Sequence, residues 1–217
     1  MPLPTYPSPP LPKSGQLRAY WRTPSSPTAL AWSIARAAEA HAGPLLVIAR
    51  DNQNAHQIQA DLHALLGEHA ALPVVPFPDW ETLPYDQFSP HPEIISQRLA
   101  ALHRLPGLSK GVVIVPVQTL LQQLAPLSYI VGGSFNLTVG QRLCLDAEKR
   151  RLESAGYHNV PQVMDPGDFA VRGGLLDVFP MGAQTPLRVE LLDEDIDSIR
   201  VFDPESQRSL NKVDAVK

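Results

Sequence analysis

Cysteine is almost missing from this chain. Cys144 is the only one in 217 residues, so no internal disulfide can form and a reducing cytoplasm is the expected location. Between Leu143 and Leu145 it reads as a small apolar filler before it reads as a nucleophile. Basic runs are also scarce: none exceeds Lys149-Arg150-Arg151. Net charge is −4, with 8 acids and 8 bases through residue 126, then 14 acids and 10 bases. That balance speaks against holding a nucleic-acid backbone by bulk charge. No apolar run reaches the length of a membrane span, and no charged segment leads into a short apolar core, so no membrane partner and no signal peptide are expected.

A phosphate loop is missing too. A nucleotide-binding α/β domain needs glycines before its first helix, so that backbone N–H groups can wrap phosphates. It also needs a lysine for the outer phosphates and a Ser or Thr for magnesium. At that place stands Thr23-Pro24-Ser25-Ser26-Pro27-Thr28-Ala29, with no glycine, no lysine and two prolines that remove N–H groups. Lys13 and Gly15 lie upstream at the wrong spacing, and Val115 runs into Pro116 where an Asp-Glu pair is needed. His56 and His63 can share a helix face but have no third ligand at metal spacing. Asp193-Glu194-Asp195 with Asp197 lacks the glycine and terminal glutamate of a calcium loop and reads as a polar hairpin turn. No catalytic residue, metal or cofactor is therefore expected in this chain.

What is abundant is proline, at 23 residues. Six fall in Met1–Lys13 with a single charge, and residues 1–20 read as a disordered tail. Pro76 to Pro92 holds five prolines and four aromatics, Phe77, Trp80, Tyr85 and Phe88. This stretch cannot be a helix or a central strand. Its aromatics read as core anchors, although a loop this long often carries function. Ile94, Ile95, Arg98, Leu99, Leu102 and Leu105 then make a helical stripe, with Pro92 in the first turn.

In order, the spacing predicts a helix over Ala29–His41 capped by Ser25 or Ser26, a buried parallel strand over Leu45–Ala49, and a helix opened by Asp51 or Asn52. A short strand near Pro73–Phe77, a strand over Val112–Val115 and a short helix over Gln118–Leu124 follow. After Pro126 the pattern turns to strands: Phe135–Val139, Phe169–Val171, Leu175–Phe179, and a hairpin of Leu187–Leu192 with Ile196–Phe202, around one charged helix, Asp146–Ala155. The expected fold class is α/β for 21–126, followed by a smaller α+β domain over 127–210 and a linker over 211–217.

Two long runs carry a family resemblance. One is Pro78-Asp79-Trp80-Glu81-Thr82-Leu83-Pro84-Tyr85-Asp86 with Phe88-Ser89-Pro90-His91 and Ile94-Ile95-Ser96-Gln97-Arg98-Leu99; the other is Gly167 through Gly182, preceded by Ala155-Gly156-Tyr157 and followed by Ser198-Ile199-Arg200-Val201-Phe202-Asp203. They resemble the N-terminal region, the UvrB-homology module, of the bacterial transcription-repair coupling factors, whose members are several times longer. The resemblance implies a helicase-like first domain, incomplete at its C-terminal part and with a degenerate nucleotide site, and a second domain of the type that grips the excision-repair ATPase UvrA. It places ATP, magnesium, DNA, RNA polymerase and the helicase superfamily 2 translocase activity in segments beyond this chain.

By that resemblance the protein-binding candidates are Arg172, His158, Phe179, Phe169 and Gly173. Arginine presents a planar donor fork suited to a carboxylate across an interface. Residues alone read Arg172 equally as an internal partner of Asp168 or Asp177, and both phenylalanines as core. Ala170 and His158 stand where the family pattern has basic residues, and histidine is mostly neutral near pH 7. The expected function is non-catalytic recruitment of UvrA to stalled RNA polymerase. The alternatives are an autoinhibitory clamp on the rest of a longer translocase, and a nucleotide- or DNA-binding helicase half.

Overall fold

The computed structural model describes residues 9–22, 24–67, 72–83, 85–132 and 136–216. The first part of the expected tail, and Thr23, Pro84, Phe135 and Lys217, lie outside the described residues. The chain divides into two compact units: Met1–Trp80 with Arg104–Gln123, and Glu81–His103 with Leu124–Lys217. Sequence order puts residues 81–103 in the first domain, whereas by compactness they go with the second, which is thereby the larger of the two.

The first unit holds α1 (Pro27–Ala40), β1 (Pro44–Ala49), α2 (Asn52–Leu66), β2 (Val74–Pro76) and β3 (Gly111–Pro116). The strands run parallel in the order β1-β3-β2. α1 starts where Pro27 costs nothing, but Ser26 makes no side-chain cap bond. α2 is capped by Asp51, whose side chain accepts from Asn54 N at 2.8 Å. Both helices bury alanine, isoleucine and leucine on one sheet face, around Leu45, Val47, Val112 and Ile114. β3, between two strands, is buried throughout. β1 is not the wholly buried strand its composition predicts. It is an edge strand, and Leu46 and Ile48 on its other face are each 54% exposed. The short helix expected after Val115 is a 3₁₀ segment, Val117–Leu121.

The second unit contains α3 (Pro92–Arg104), α4 (Leu127–Gly132), β4 (Leu137–Thr138), α5 (Leu145–Ser154), β5 (His158–Asn159), β6 (Asp168–Arg172), β7 (Leu175–Val178), β8 (Leu187–Leu192), β9 (Asp195–Phe202), β10 (Ser209–Val213) and β11 (Ala215–Val216). Six strands form one sheet in the order β10-β9-β8-β7-β6-β5, antiparallel except between β5 and β6. β11 pairs with β4. Of the residues read as a linker, 211–213 and 215–216 are thus strand, and α4 is a helix that the Pro126 and Gly132 boundaries hid. Cys144 is exposed at the start of α5 and does not fill the core. Tyr85 and Phe88, read as core anchors, are exposed as well.

Candidate interaction face

Alternation along β6 to β10 gives the large sheet two unlike faces. Phe169, Leu176, Val178, Leu187, Val189 and Ile199 point to one side and form the core with Leu152 of α5. The register assigns the other side. One row runs Ala170, Asp177, Arg188, Arg200, Lys212 across five strands; the next runs Arg172, Leu175, Glu190, Ser198. His158 pairs with Asp168 at the β5 edge of the same side. Period-2 alternation therefore collects four fixed cations on one face, although no two of them are neighbours in sequence.

Their partners differ. Arg188 grips Asp177 with two bonds, Nε to Oδ1 at 2.7 Å and Nη2 to Oδ2 at 2.9 Å. It also donates to Gln207 O at 3.2 Å and lies 4.7 Å from the centre of the Phe202 ring. The Asp177 hydrogen bond raises the Arg188 pKa, so this pair is locked as an ion pair. Glu190 is shared between Ser198 Oγ at 2.7 Å and Arg200 Nη1 at 3.4 Å, and Arg200 Nε is buried without a hydrogen-bond partner. Lys212 makes no ion pair among those observed. Arg172 forms neither internal ion pair that its neighbours suggest: Asp177 is taken by Arg188, and Asp168 accepts from the backbone of Met164 and Asp165. The Arg172 guanidinium donates instead to the carbonyl of Pro161, which orients it without neutralising it.

The other candidates separate on burial. His158 is exposed on the face beside this group. Gly173 begins the two-residue β6–β7 turn at φ 57°, a conformation that favours glycine, with open space around it. Phe169 is wholly buried in the core beneath the face, and Phe179 is buried in a separate cluster with Val163, Ala170 and Phe202, so neither phenylalanine offers contact surface. Sequence reasoning missed Arg200, Glu190 and Lys212; only the strand register puts Glu190 in the row of Arg172 and Arg200 and Lys212 in the row beside it. It also missed an anchor at the β5 end. Gly182 N donates to Ser96 Oγ of α3 at 2.8 Å, and Met181 N donates to Tyr157 Oη at 2.9 Å. Gly182 has φ 88°, and an added Cβ would meet Ala100 at 3.3 Å. Burial raises the Tyr157 pKa, partly offset by the Met181 bond.

Residues 135–217 match the family described as the UvrB interaction domain. The chain matches the N-terminal region of transcription-repair-coupling factors. It is 49% identical over 188 residues to that of Escherichia coli strain K12, covering 87% of this chain and 16% of the relative. Against the Haemophilus influenzae factor identity is 43% over 190 residues, 88% of this chain and 16% of the relative. Against the Bacillus subtilis factor it is 30% over 173 residues, 80% and 14%. The chain thus spans a small part of these coupling factors, and the family match over 135–217 covers the whole polar face. No helix among the described residues is long and apolar enough to cross a membrane.

Proposed function

We propose that this chain is the non-catalytic recruitment module of a transcription-coupled repair factor, and that the polar face of its large sheet is where the excision-repair ATPase UvrA docks. The observation that carries this is Arg172. It is an exposed guanidinium, fixed by a carbonyl, with no carboxylate of its own, on a face whose other arginines are paired. Such a group favours an incoming carboxylate, because its desolvation is repaid only when a partner supplies the charge. Arg200 and Lys212 extend the same surface, and the match to a UvrB interaction domain supports the reading.

The first unit fits a helicase-like half whose nucleotide site has degenerated. At the start of α2 the Asp51 carboxylate occupies a helix N–H that a phosphate would use. At the start of α1 the sequence has prolines where a phosphate loop needs N–H groups. Hydrolysis, translocation and contact with DNA or RNA polymerase are then left to other parts of the longer protein.

Calorimetric titration of the chain with UvrA tests the proposal, beside Arg172→Ala. Saturable binding is expected, weakened about ten-fold or more by the substitution, as for a truncated interface charge. An unchanged dissociation constant would remove Arg172 from the interface; no binding by folded wild-type chain would remove the partner.

A further inference from the structure

The loop between Glu81 and His91 carries features that docking on the sheet does not use. Leu83, Tyr85 and Phe88 are all exposed. Scattered exposed apolar residues are ordinary, but three large ones within six residues of one loop are not. The backbone builds their exposure. Tyr85 has φ 99°, a region that bulky L residues avoid, and its ring is fully exposed. Asp86 closes the turn: its Oδ2 accepts from Leu83 N at 2.6 Å, and its own N–H donates to Leu83 O at 3.1 Å. From Phe77 to Pro92 the acids are Asp79, Glu81 and Asp86, with no lysine or arginine. That charge repels phosphate backbones and anionic lipid, and complements a basic rim.

The loop is also tied to the polar face. It runs into α3 at Pro92, and Ser96 lies about one turn further, roughly 6 Å along the axis. Ser96 holds Gly182, the adjacent Met181 holds Tyr157, and Tyr157 precedes His158 at the edge of the face. We infer that Leu83, Tyr85 and Phe88 form a second contact for the partner that docks on the polar face, an aromatic knuckle that enters an apolar cleft rimmed by lysine or arginine on UvrA. The inference rests on the recruitment reading. A turn already ordered by its own hydrogen bonds loses little entropy on docking, and tyrosine is enriched among residues that dominate interface energies.

The test is titration of the whole chain with UvrA at several salt concentrations, using wild type, the double variant Tyr85→Ala with Phe88→Ala, and Arg172→Ala. Both loop side chains are exposed, so circular dichroism should be unchanged. The loop variant is expected to raise Kd about ten-fold with the wild-type salt dependence, whereas Arg172→Ala flattens that dependence. A loop variant within about two-fold of wild type, beside a weakened Arg172→Ala, overturns the knuckle and leaves the recruitment reading standing. No binding by wild type overturns both. Photocrosslinking from Phe88→p-benzoylphenylalanine is expected to reach UvrA; crosslinks confined to a second copy of this chain overturn the knuckle as well.

Discussion

The small parallel sheet and the large antiparallel one differ in the layer opposite their main cores: in the small sheet β3 is buried on both faces and the β1 edge is open, whereas in the large sheet that layer is polar, with Asp177 and Ser198 buried and Arg172 exposed. On the small sheet the open positions of the edge strand are Leu46 and Ile48. On the large sheet the corresponding layer is Asp177, Arg188, Glu190, Ser198, Arg200 and Lys212. An apolar layer gains by being covered and has little power to choose what covers it. A charged layer whose ion pairs are already made is stable when exposed, and discriminates partners by the charges left unpaired. That difference is the ground on which docking is proposed for the second sheet, although both have the same alternating construction.

The largest test of that contrast is Asp177→Ala. It leaves the Arg188 guanidinium in a site where the Asp177 side chain is only 2% exposed, and the expected loss is about 3–5 kcal/mol in urea unfolding. Adding Arg188→Met should recover a good part of it, because the stranded charge goes with its partner. If Asp177→Ala costs no more than an ordinary surface change, the ion pairs are not what holds this face.

A smaller effect is expected at the β5 edge. Tyr157→Phe removes the acceptor for Met181 N–H and should cost about 1 kcal/mol. Its pH dependence is a sharper reading. The folded state raises the Tyr157 pKa, so the neutral phenol is favoured on folding. That contribution is fully present below the unfolded value, near 10, and is lost as pH rises through the higher folded value. Wild type should therefore lose stability above about pH 10 relative to Tyr157→Phe, and parallel curves for the two would contradict the burial of this phenol. The smallest effect belongs to the other sheet: Leu46→Ser with Ile48→Ser should change unfolding free energy by about 0.5 kcal/mol or less each. A loss well beyond that would show that the open face of β1 is covered in solution and would erase the contrast.

Much of the fold was legible because the physics is local. Alanine content and Pro27 marked α1, Asp51 marked α2, and alternation between Asp193-Glu194 and Gly173-Gly174 turns marked β6 to β9. The errors share a cause. β1 looked like a central strand because its composition cannot say which neighbour it lacks. Tyr85 and Phe88 looked like core because hydrophobicity cannot report a turn that aims them outward. Phe169 and Phe179 were contact candidates through the family resemblance alone: Phe169 stands three residues from Arg172 along β6 and so on the opposite face, and Phe179 is buried with Ala170 and Phe202.

What the sequence determined by itself was most of the element order, the family match and the absence of a phosphate-loop pattern before α1; Arg172 became a candidate only through the resemblance. The first three are set by residue type at short spacing. Only the tertiary structure decided that Arg172 stands without a carboxylate while Asp177 is claimed by Arg188, that Arg200 and Lys212 join its face, and that α3 is pinned beside it through Ser96 and Gly182. Those facts depend on strand register and on contacts between residues far apart in the chain, where the competition of several donors for one carboxylate is settled by distance.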